Sequence, residues 1–207
     1  MTRRHTHIIG LVGHARAGKD TVAARLVDCY GYKRFAIADP IRRLTEIVAG
    51  DPFRTAGFTP YSWEWTAAWE AAKDEWPAEV RTVLQETGLA ALEILGPDVW
   101  LLALERHIDS QPDVAKWVVP DIRMLNEARW MDLRNQRHVC RTDMWVVRRP
   151  GIGAVNGHAV EAEIGRVDAL AVEQGSPVFE NSTTIEELIE RVDYRMLPMP
   201  RGGGVVV

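Results

Sequence analysis

The residues best placed to do chemistry lie in the segment GHARAGKDT, which runs from Gly13 to Thr21. Within it, Gly13, Gly18 and Lys19 almost match the phosphate-binding pattern G-x-x-x-x-G-K-[ST], the P-loop. In such a loop the glycines let backbone N–H groups approach phosphate oxygens, and the lysine neutralises the phosphate charge. The pattern therefore predicts binding of a nucleotide phosphate. The alternative is a glycine turn with a solvated lysine.

Asp20 departs from this pattern, which places serine or threonine after the lysine as a Mg²⁺ ligand. A carboxylate can replace that hydroxyl because Mg²⁺ is a hard cation that binds carboxylate oxygen readily. The carboxylate adds negative charge beside the phosphates, which Lys19, Arg16 and the metal would offset. Thr21 could still donate to the α-phosphate. Asp20 is thus the first predicted metal ligand.

Asp121 is the second predicted metal ligand. The segment WVVPDIR places it at the carboxyl end of a buried strand, the edge at which open α/β sheets bind ligands. A carboxylate there can hold metal-bound water, and Arg123, two residues further on, could hold a phosphate. The alternative is that Asp121 caps a helix and pairs with a nearby arginine.

Arginines elsewhere could bind the phosphate of a second substrate, because the guanidinium group donates hydrogen bonds in pairs. Asp39 is predicted to end a strand, with Arg42 and Arg43 in the first turns of the next helix. Arg81 and Gln85 share one helix face, where glutamine could read the edge of a base. A solvated helix face explains either group equally well.

Arg148 and Arg149 precede the glycine-rich segment PGIGAVNGHAV. A closing loop that carries arginines suits phosphoryl transfer, which depends on positioning and on positive charge around the transferring group. We therefore predict a lid at about residues 148–163. The alternative is a surface loop that follows an edge strand.

Short apolar runs alternate with helical patterns along the chain, which favours a parallel sheet with helices on both faces. Strands are predicted at 7–13, 33–39, 115–123, 138–149 and 176–182. Helices are predicted at 18–30, 40–50, 77–95 with an interruption at Gly88, 97–108, 126–136 and 184–196. The expected fold class is α/β, with a five-stranded parallel sheet.

Residues 1–197 are predicted to form one domain, with a core at about 6–49 and 111–197, a helical lobe inserted at about 50–110, and a flexible tail at 198–207. The lobe contains Trp63, Trp65, Trp69 and Trp76, most of which we expect to be core side chains. Cys29 and Cys140 are too few for a disulfide scaffold. Both cysteines are expected to be buried apolar side chains.

Composition excludes several classes of protein. The 207 residues are 46% hydrophobic and 26% charged, which is ordinary for a globular protein. The net charge of -4 gives no broad basic surface for nucleic acid. No apolar run reaches the roughly 18 residues of a membrane span, so we expect no membrane association and a cytoplasmic location.

Several segments, in the order in which they occur, resemble those of bacteriophage deoxynucleoside monophosphate kinases. They are GHARAGKDT, FAIADPIRRL, VLQETG with PDVW, VVPDIRMLNEA, GHAVEAE and VFENSTTIEELIERV. The resemblance covers about residues 7–195 and includes the GKDT of the P-loop, so it implies that Asp20 is a family feature. It further implies the P-loop kinase fold, an acceptor-binding lobe, ATP as co-substrate, Mg²⁺ and, for a phage-encoded chain, the host cytoplasm.

The resemblance also implies four sets of site residues. ATP would be bound by Gly13, His14, Ala15, Arg16, Ala17, Gly18, Lys19, Asp20 and Thr21. The monophosphate acceptor would be bound by Asp39, Arg42, Arg81, Gln85, Arg123 and Asn126, with His158 and Glu161 in or beside the lid. The catalytic residues would be Lys19, Arg123, Arg148 and Arg149, and the metal ligands Asp20 and Asp121. One departure is that Leu89 and Glu93 stand where the family tends to have threonine and arginine.

The leading hypothesis is a Mg²⁺-dependent kinase that transfers the γ-phosphoryl group of ATP to a deoxynucleoside 5′-monophosphate. One alternative is a kinase of the same fold that acts on dephospho-coenzyme A or a phosphorylated isoprenoid precursor, where a hydroxyl acceptor would need Asp39 or Asp121 as general base. Another is a module that binds ATP without transferring phosphate. A GTPase is disfavoured because the chain has no N-K-x-D element. The sequence leaves homodimer formation open.

Overall fold

The computed structural model of the chain describes residues 6–50, 53, 55, 57–136, 140–152 and 159–197, and of residues 159–162 only the backbone. Residues 153–158 of the predicted lid and the predicted tail at 198–207 lie outside these ranges. The predicted site residue His158 therefore lies outside the described residues, and so does the side chain of Glu161.

Within the described residues, five parallel strands form one sheet. The strands are β1 (His7–Val12), β2 (Lys33–Arg34), β3 (Lys116–Ile122), β4 (Arg141–Arg148) and β5 (Val178–Glu180). Their order across the sheet is β2-β3-β1-β4-β5. β1 is central, since His7 pairs with Lys116 of β3 on one side and with Arg141 of β4 on the other. This arrangement confirms the predicted five-stranded parallel sheet.

The same part of the chain forms eight helices. They are α1 (Lys19–Tyr30), α2 (Ala38–Ala49), α3 (Trp63–Glu75), α4 (Pro77–Leu95), α5 (Val99–Asp109), α6 (Leu125–Gln136), α7 (Ala159–Glu173) and α8 (Ile185–Met196). On one face of the sheet, Ile9 belongs to an apolar cluster with α1 and α8, and on the other, Ile8 belongs to a cluster with α5, α6 and α7. Neighbouring residues of a strand point to opposite faces, so the helices cover both faces, as predicted.

The second predicted strand is wrong beyond Arg34, where pairing with β3 ends. The carboxylate of Asp121 accepts hydrogen bonds from the backbone N–H groups of Ile37 (2.8 Å) and Ala38 (2.9 Å). These two donors are therefore engaged by a side chain at the start of α2 and do not extend β2. As a result, Asp39 lies in the first turn of α2 and not at a strand end.

A separate apolar cluster joins α3 to α4. Trp65 and Trp69 are fully buried in it, which confirms the prediction of core tryptophans, whereas Trp63 is 69% exposed. The buried carboxylate of Glu46 accepts hydrogen bonds from the indole N–H groups of Trp65 (2.7 Å) and Trp69 (3.1 Å), and from the Thr55 hydroxyl (2.6 Å). Because a buried carboxylate is stable only with such donors, Glu46 fixes α2 against the tryptophans.

α4 runs through Gly88 without the predicted interruption. A Cβ atom added at Gly88 would lie 3.3 Å from Cδ1 of Ile41, so the glycine allows α2 and α4 to pack closely. No single helix in the described ranges is long and apolar enough to cross a membrane. α4 and α5 pass that test only as a pair, and they meet at a bend of 93°.

Two further expectations differ from the structure. α3 lies within the predicted helical lobe, but its bounds were not predicted because the tryptophan-rich segment has little periodicity, and α7 was not predicted as a helix. Cys140 is buried as expected, but Cys29 is exposed. The buried positions of α1 end at Leu26, so Cys29 lies beyond the part of the helix that packs on the sheet.

Candidate functional site

The glycine-rich loop connects the carboxyl end of β1 to the first turn of α1. Gly18 stands at the N-cap of α1 in the left-handed conformation (φ +108°), and no side chain of the described residues caps the helix. Lys19 is the first helical residue, and its buried Nζ donates to the carbonyl oxygens of Gly13 and His14, both at 2.7 Å. An uncapped helix N-terminus beside a lysine is a favourable place for an anion. The local geometry thus has the features of a phosphate-binding loop.

The two glycines of this loop are required by close contacts as well as by backbone conformation. A Cβ atom at Gly13 (φ +147°) would lie 2.2 Å from the carbonyl oxygen of Val147 in β4. A Cβ atom at Gly18 would lie 2.7 Å from Nδ2 of Asn181. The loop therefore packs closely against β4 on one side and against the residue that follows β5 on the other.

Asn181 is a site residue that the sequence analysis placed only at the end of a strand. Its side chain Nδ2 donates to the carbonyl oxygen of Ala17 at 3.0 Å, and its backbone N–H donates to that of Arg148 at 2.7 Å. The residue is buried and holds the loop from the side of β5. A polar residue directly after a parallel strand, at the edge where ligands bind, was the signal that could have identified it.

The other residues of the loop segment face solvent to different degrees. Asp20 and Arg16 are exposed, and Arg16 adopts a left-handed conformation (φ +64°). Thr21 is half-buried in α1. No group of three or more His, Cys, Asp or Glu residues in the described ranges could hold a metal ion alone. Because Mg²⁺ at nucleotide sites is held largely by phosphates and water, one exposed carboxylate beside the loop fits the role predicted for Asp20.

Asp121 lies at the carboxyl edge of β3, as predicted, and both of its oxygens hold the start of α2. This contact is the helix-capping role that the sequence analysis considered as the alternative. Each carboxylate oxygen has a second lone pair, so metal ligation by Asp121 stays a prediction. In the structure, its role is to tie β3 to α2.

Asp39 and Arg42 are brought together in the first turns of α2. Oδ2 of Asp39 accepts from the Ala36 backbone N–H (2.8 Å) and from Nη1 of Arg34 (3.1 Å), and Oδ1 accepts from Nη1 of Arg42 (3.1 Å). Arg42 is only 3% exposed, and its Nη2 donates to Oε1 of Glu70 in α3 at 2.6 Å. The pair therefore places a buried guanidinium between α2 and α3.

The remaining predicted acceptor residues are more dispersed. Arg81 and Gln85 are both exposed on α4. Nδ2 of Asn126 donates to the carbonyl oxygen of Pro97 (3.2 Å) and to Oδ1 of Asp98 (3.3 Å), which joins the start of α6 to the turn between α4 and α5. The two residues on α4 and Asn126 thus lie on different elements.

The two predicted lid arginines differ in their contacts. Arg148, at the end of β4, is exposed and forms a paired contact with Asp168 of α7, from Nε to Oδ2 (3.0 Å) and from Nη2 to Oδ1 (2.5 Å). Arg149 is exposed in the following turn. To act on a phosphate, Arg148 would have to exchange this carboxylate for the substrate.

Arg123 follows β3 and is half-buried, and the acid next to it has an unusual environment. The backbone N–H of Arg123 donates to Oε2 of Glu127 at 2.6 Å, and the backbone N–H of Met124 donates to the same oxygen at 2.9 Å. Burial raises the pKa of the Glu127 carboxyl to about 7, although these hydrogen bonds oppose the shift. Glu127 thus orders the turn that presents Arg123.

We expect the folded protein to lose stability as the pH rises from about 4.5 to about 7 because of Glu127. Over this window the carboxyl ionises in the unfolded chain but keeps its proton in the folded one. The loss amounts to roughly 3 kcal/mol in the free energy of unfolding and is complete above the folded pKa. Urea unfolding across this pH range measures it.

Glu127→Gln is the matched variant, because its amide oxygen can accept from both N–H groups but does not ionise. Other titrating groups are common to the two proteins, so the difference between their unfolding free energies isolates Glu127. That difference should change by roughly 3 kcal/mol as the pH rises through this range. If it stays constant between pH 4.5 and pH 8, the raised pKa is wrong.

The sheet order, the glycine-rich loop between β1 and α1 and the helices on both faces together define an α/β fold with a parallel sheet covered on both sides. The chain matches no protein-family model and no curated protein sequence. Among solved structures, TT1252 from Thermus thermophilus is 21% identical, with a TM-score of 0.45, over 94% of this chain and 100% of that one. Dephospho-CoA kinase from Campylobacter jejuni is 11% identical, with a TM-score of 0.41, over 92% of this chain and 94% of that one. Similarities this low do not define the activity of this chain.

Proposed function

We propose that the protein is an ATP-dependent kinase that transfers the γ-phosphoryl group to a deoxynucleoside 5′-monophosphate. The observation that carries this proposal is the presence of two separate cationic centres. Lys19 lies in the glycine-rich loop after β1, and the buried Arg42 lies in the helix that follows β2. The carboxyl ends of parallel strands share one edge of the sheet, so two anions could be bound there side by side.

In the proposed reaction, Lys19 and the loop bind the β- and γ-phosphates of ATP while Arg42 binds the acceptor phosphate. An acceptor oxygen forms the new bond to the γ-phosphorus, and the bond from that phosphorus to the β–γ bridging oxygen breaks, which releases ADP. Arg123, Arg148 or Arg149 would stabilise the charge of the transferring group. Asp20, with Asp121, would hold Mg²⁺, which neutralises phosphate charge when bound. Within this proposal, Arg81, Gln85, Asn126, His158 and Glu161 remain candidates for acceptor binding.

The state of the two candidate bases favours a phosphate acceptor over a hydroxyl acceptor. A hydroxyl must lose its proton to a base, and the candidates are Asp39 and Asp121. Both carboxylates are buried and hold backbone N–H groups, and Asp39 also holds two arginines. Both carboxylates are thus already engaged in contacts within the protein, which supports a phosphate acceptor. An acceptor phosphate is already an anionic nucleophile and needs no such base.

The test is coupled ADP release with ATP and Mg²⁺ across the common deoxynucleoside and ribonucleoside monophosphates. Dephospho-coenzyme A and a phosphorylated isoprenoid precursor serve as competing acceptors, and a reaction without acceptor measures background hydrolysis. Turnover with one or a few deoxynucleoside monophosphates is the expected result. Turnover with a competing acceptor alone would contradict the proposal and would assign the site to that substrate.

A further inference from the structure

The guanidinium of Arg42 has one donor edge that the protein fills only in part. Nη2 donates to Glu70, but Nε, on the same edge, is buried and has no hydrogen-bond partner among the residues that the structure describes. Arg25 and Arg148 use the equivalent edge fully, since Nε and Nη2 of each donate to one aspartate. A buried N–H donor without an acceptor costs free energy. The unpaired Nε therefore marks a place where an oxygen atom of a ligand would fit.

Lys73, which the sequence analysis did not identify, adds a second cation to the same carboxylate. Its Nζ lies 2.8 Å from Oε1 and 3.1 Å from Oε2 of Glu70. Burial and then the charge of Arg42 lower the pKa of Lys73, and the charge of Arg123 acts in the same direction. Two cations, Arg42 and Lys73, thus contact one carboxylate that carries a single negative charge.

The members of this cluster differ in how far they are held in place. Arg42 is fixed by Asp39 and is 3% exposed, whereas the side chains of Lys73 and Glu70 are 37% and 52% exposed. Glu70 approaches from α3, across from α2, on a flexible side chain with three rotatable bonds. The carboxylate can therefore leave while the guanidinium stays.

We propose that Glu70 occupies the place of the acceptor's phosphate and is displaced when the acceptor binds, a proposal that rests on the function given above. A phosphate monoester brings two negative charges and three acceptor oxygens, enough for Nη2 and Nε of Arg42 and for Nζ of Lys73. With its own acid in place, the site resists small anions. A ligand with further contacts to the protein overcomes that competition.

The test is isothermal titration calorimetry of inorganic phosphate, without ATP, on the full chain and its variants. Glu70→Gln is expected to bind phosphate about five- to tenfold more tightly than the wild type, because a competing occupant multiplies the apparent dissociation constant by the inverse of the fraction of sites that it leaves open. Glu75→Gln is the matched control, since it removes the same charge from an exposed position of the same helix. Lys73→Met is expected to weaken binding by about fivefold or more.

The proposal is overturned if Glu70→Gln binds phosphate no more tightly than Glu75→Gln. Should Glu70→Gln fail to fold by circular dichroism, Glu70→Asp replaces it, because the shorter side chain withdraws the carboxylate and is expected to tighten binding in the same direction. The outcome is independent of phosphotransfer. If Glu70→Gln binds phosphate more tightly but the protein has no kinase activity, the anion site is supported and the kinase proposal is wrong. If the protein turns over monophosphates but Glu70→Gln binds phosphate no more tightly than Glu75→Gln, only the proposed role of Glu70 is wrong.

Discussion

Replacing Lys19 with methionine is expected to lower kcat for phosphotransfer by about 100- to 1,000-fold. In the proposed reaction the ammonium group neutralises charge on the transferring phosphoryl group, and methionine keeps the length of the side chain but carries no charge. Nζ of Lys19 also donates to Gly13 and His14, so a modest fall in the free energy of unfolding should accompany the loss of activity. Initial rates of ADP release measure the first effect, and urea unfolding measures the second.

Lys33→Met is the control for this substitution. Lys33 is an exposed lysine in β2 whose Nζ donates to Oε1 of Gln111 at 3.2 Å. Lys33→Met removes the same charge at the level of Ile8, near the start of β1, whereas the loop follows the carboxyl end of that strand. Wild-type kcat is therefore expected. If Lys19→Met stays folded and transfers phosphate at the rate of Lys33→Met, the glycine-rich loop takes no part in the reaction.

Gly13→Ala is expected to destabilise the fold by about 3–5 kcal/mol. The added Cβ atom would lie 2.2 Å from the carbonyl oxygen of Val147, and the backbone φ of +147° already disfavours a side chain. That oxygen belongs to β4, which pairs with β1 on one side and β5 on the other, so it cannot move aside without disturbing the sheet. The midpoint and slope of a urea unfolding curve give the loss directly.

Gly31→Ala is the control that separates the cost of a close atomic contact from the cost of backbone strain. Gly31 caps the end of α1 with a positive φ of +71°, and an added Cβ atom there meets nothing within 4 Å. Its cost is expected to be about 1 kcal/mol, from the left-handed conformation alone. Equal costs for Gly13→Ala and Gly31→Ala would show that the contact with Val147 relaxes easily.

The sequence was most informative where a feature depends on neighbouring residues. The strand, the glycines, Lys19 and α1 follow one another without a gap, so their pattern predicted the loop and the start of the helix. β2 was predicted too long because the acid that stops it, Asp121, acts on Ile37 from a position 84 residues away. Such a contact leaves no local periodicity to read.

Only part of the candidate site was predicted, because several of its contacts join residues that are distant in the sequence. Arg42 was identified from its type and its place in a first helical turn. Its contact with Glu70, the contribution of Lys73 and the link from Asn181 to Ala17 depend on how α3 and β5 pack. Charged residues at i and i+3 on a helix, such as Glu70 and Lys73, are common on solvated faces. Only the buried guanidinium opposite them distinguishes this pair.

The bond between Asn181 and Ala17 has a consequence for how the chain is made. Ala17 leaves the ribosome early, but its partner follows 164 residues later, on the order of ten seconds or more at ordinary rates of translation. β1 likewise waits for β3 and β4, so the centre of the sheet and its glycine-rich loop take their final form only after β5 has been made. Ligand binding by a nascent chain would therefore report the emergence of β5, and a chain halted before β5 should have no formed loop.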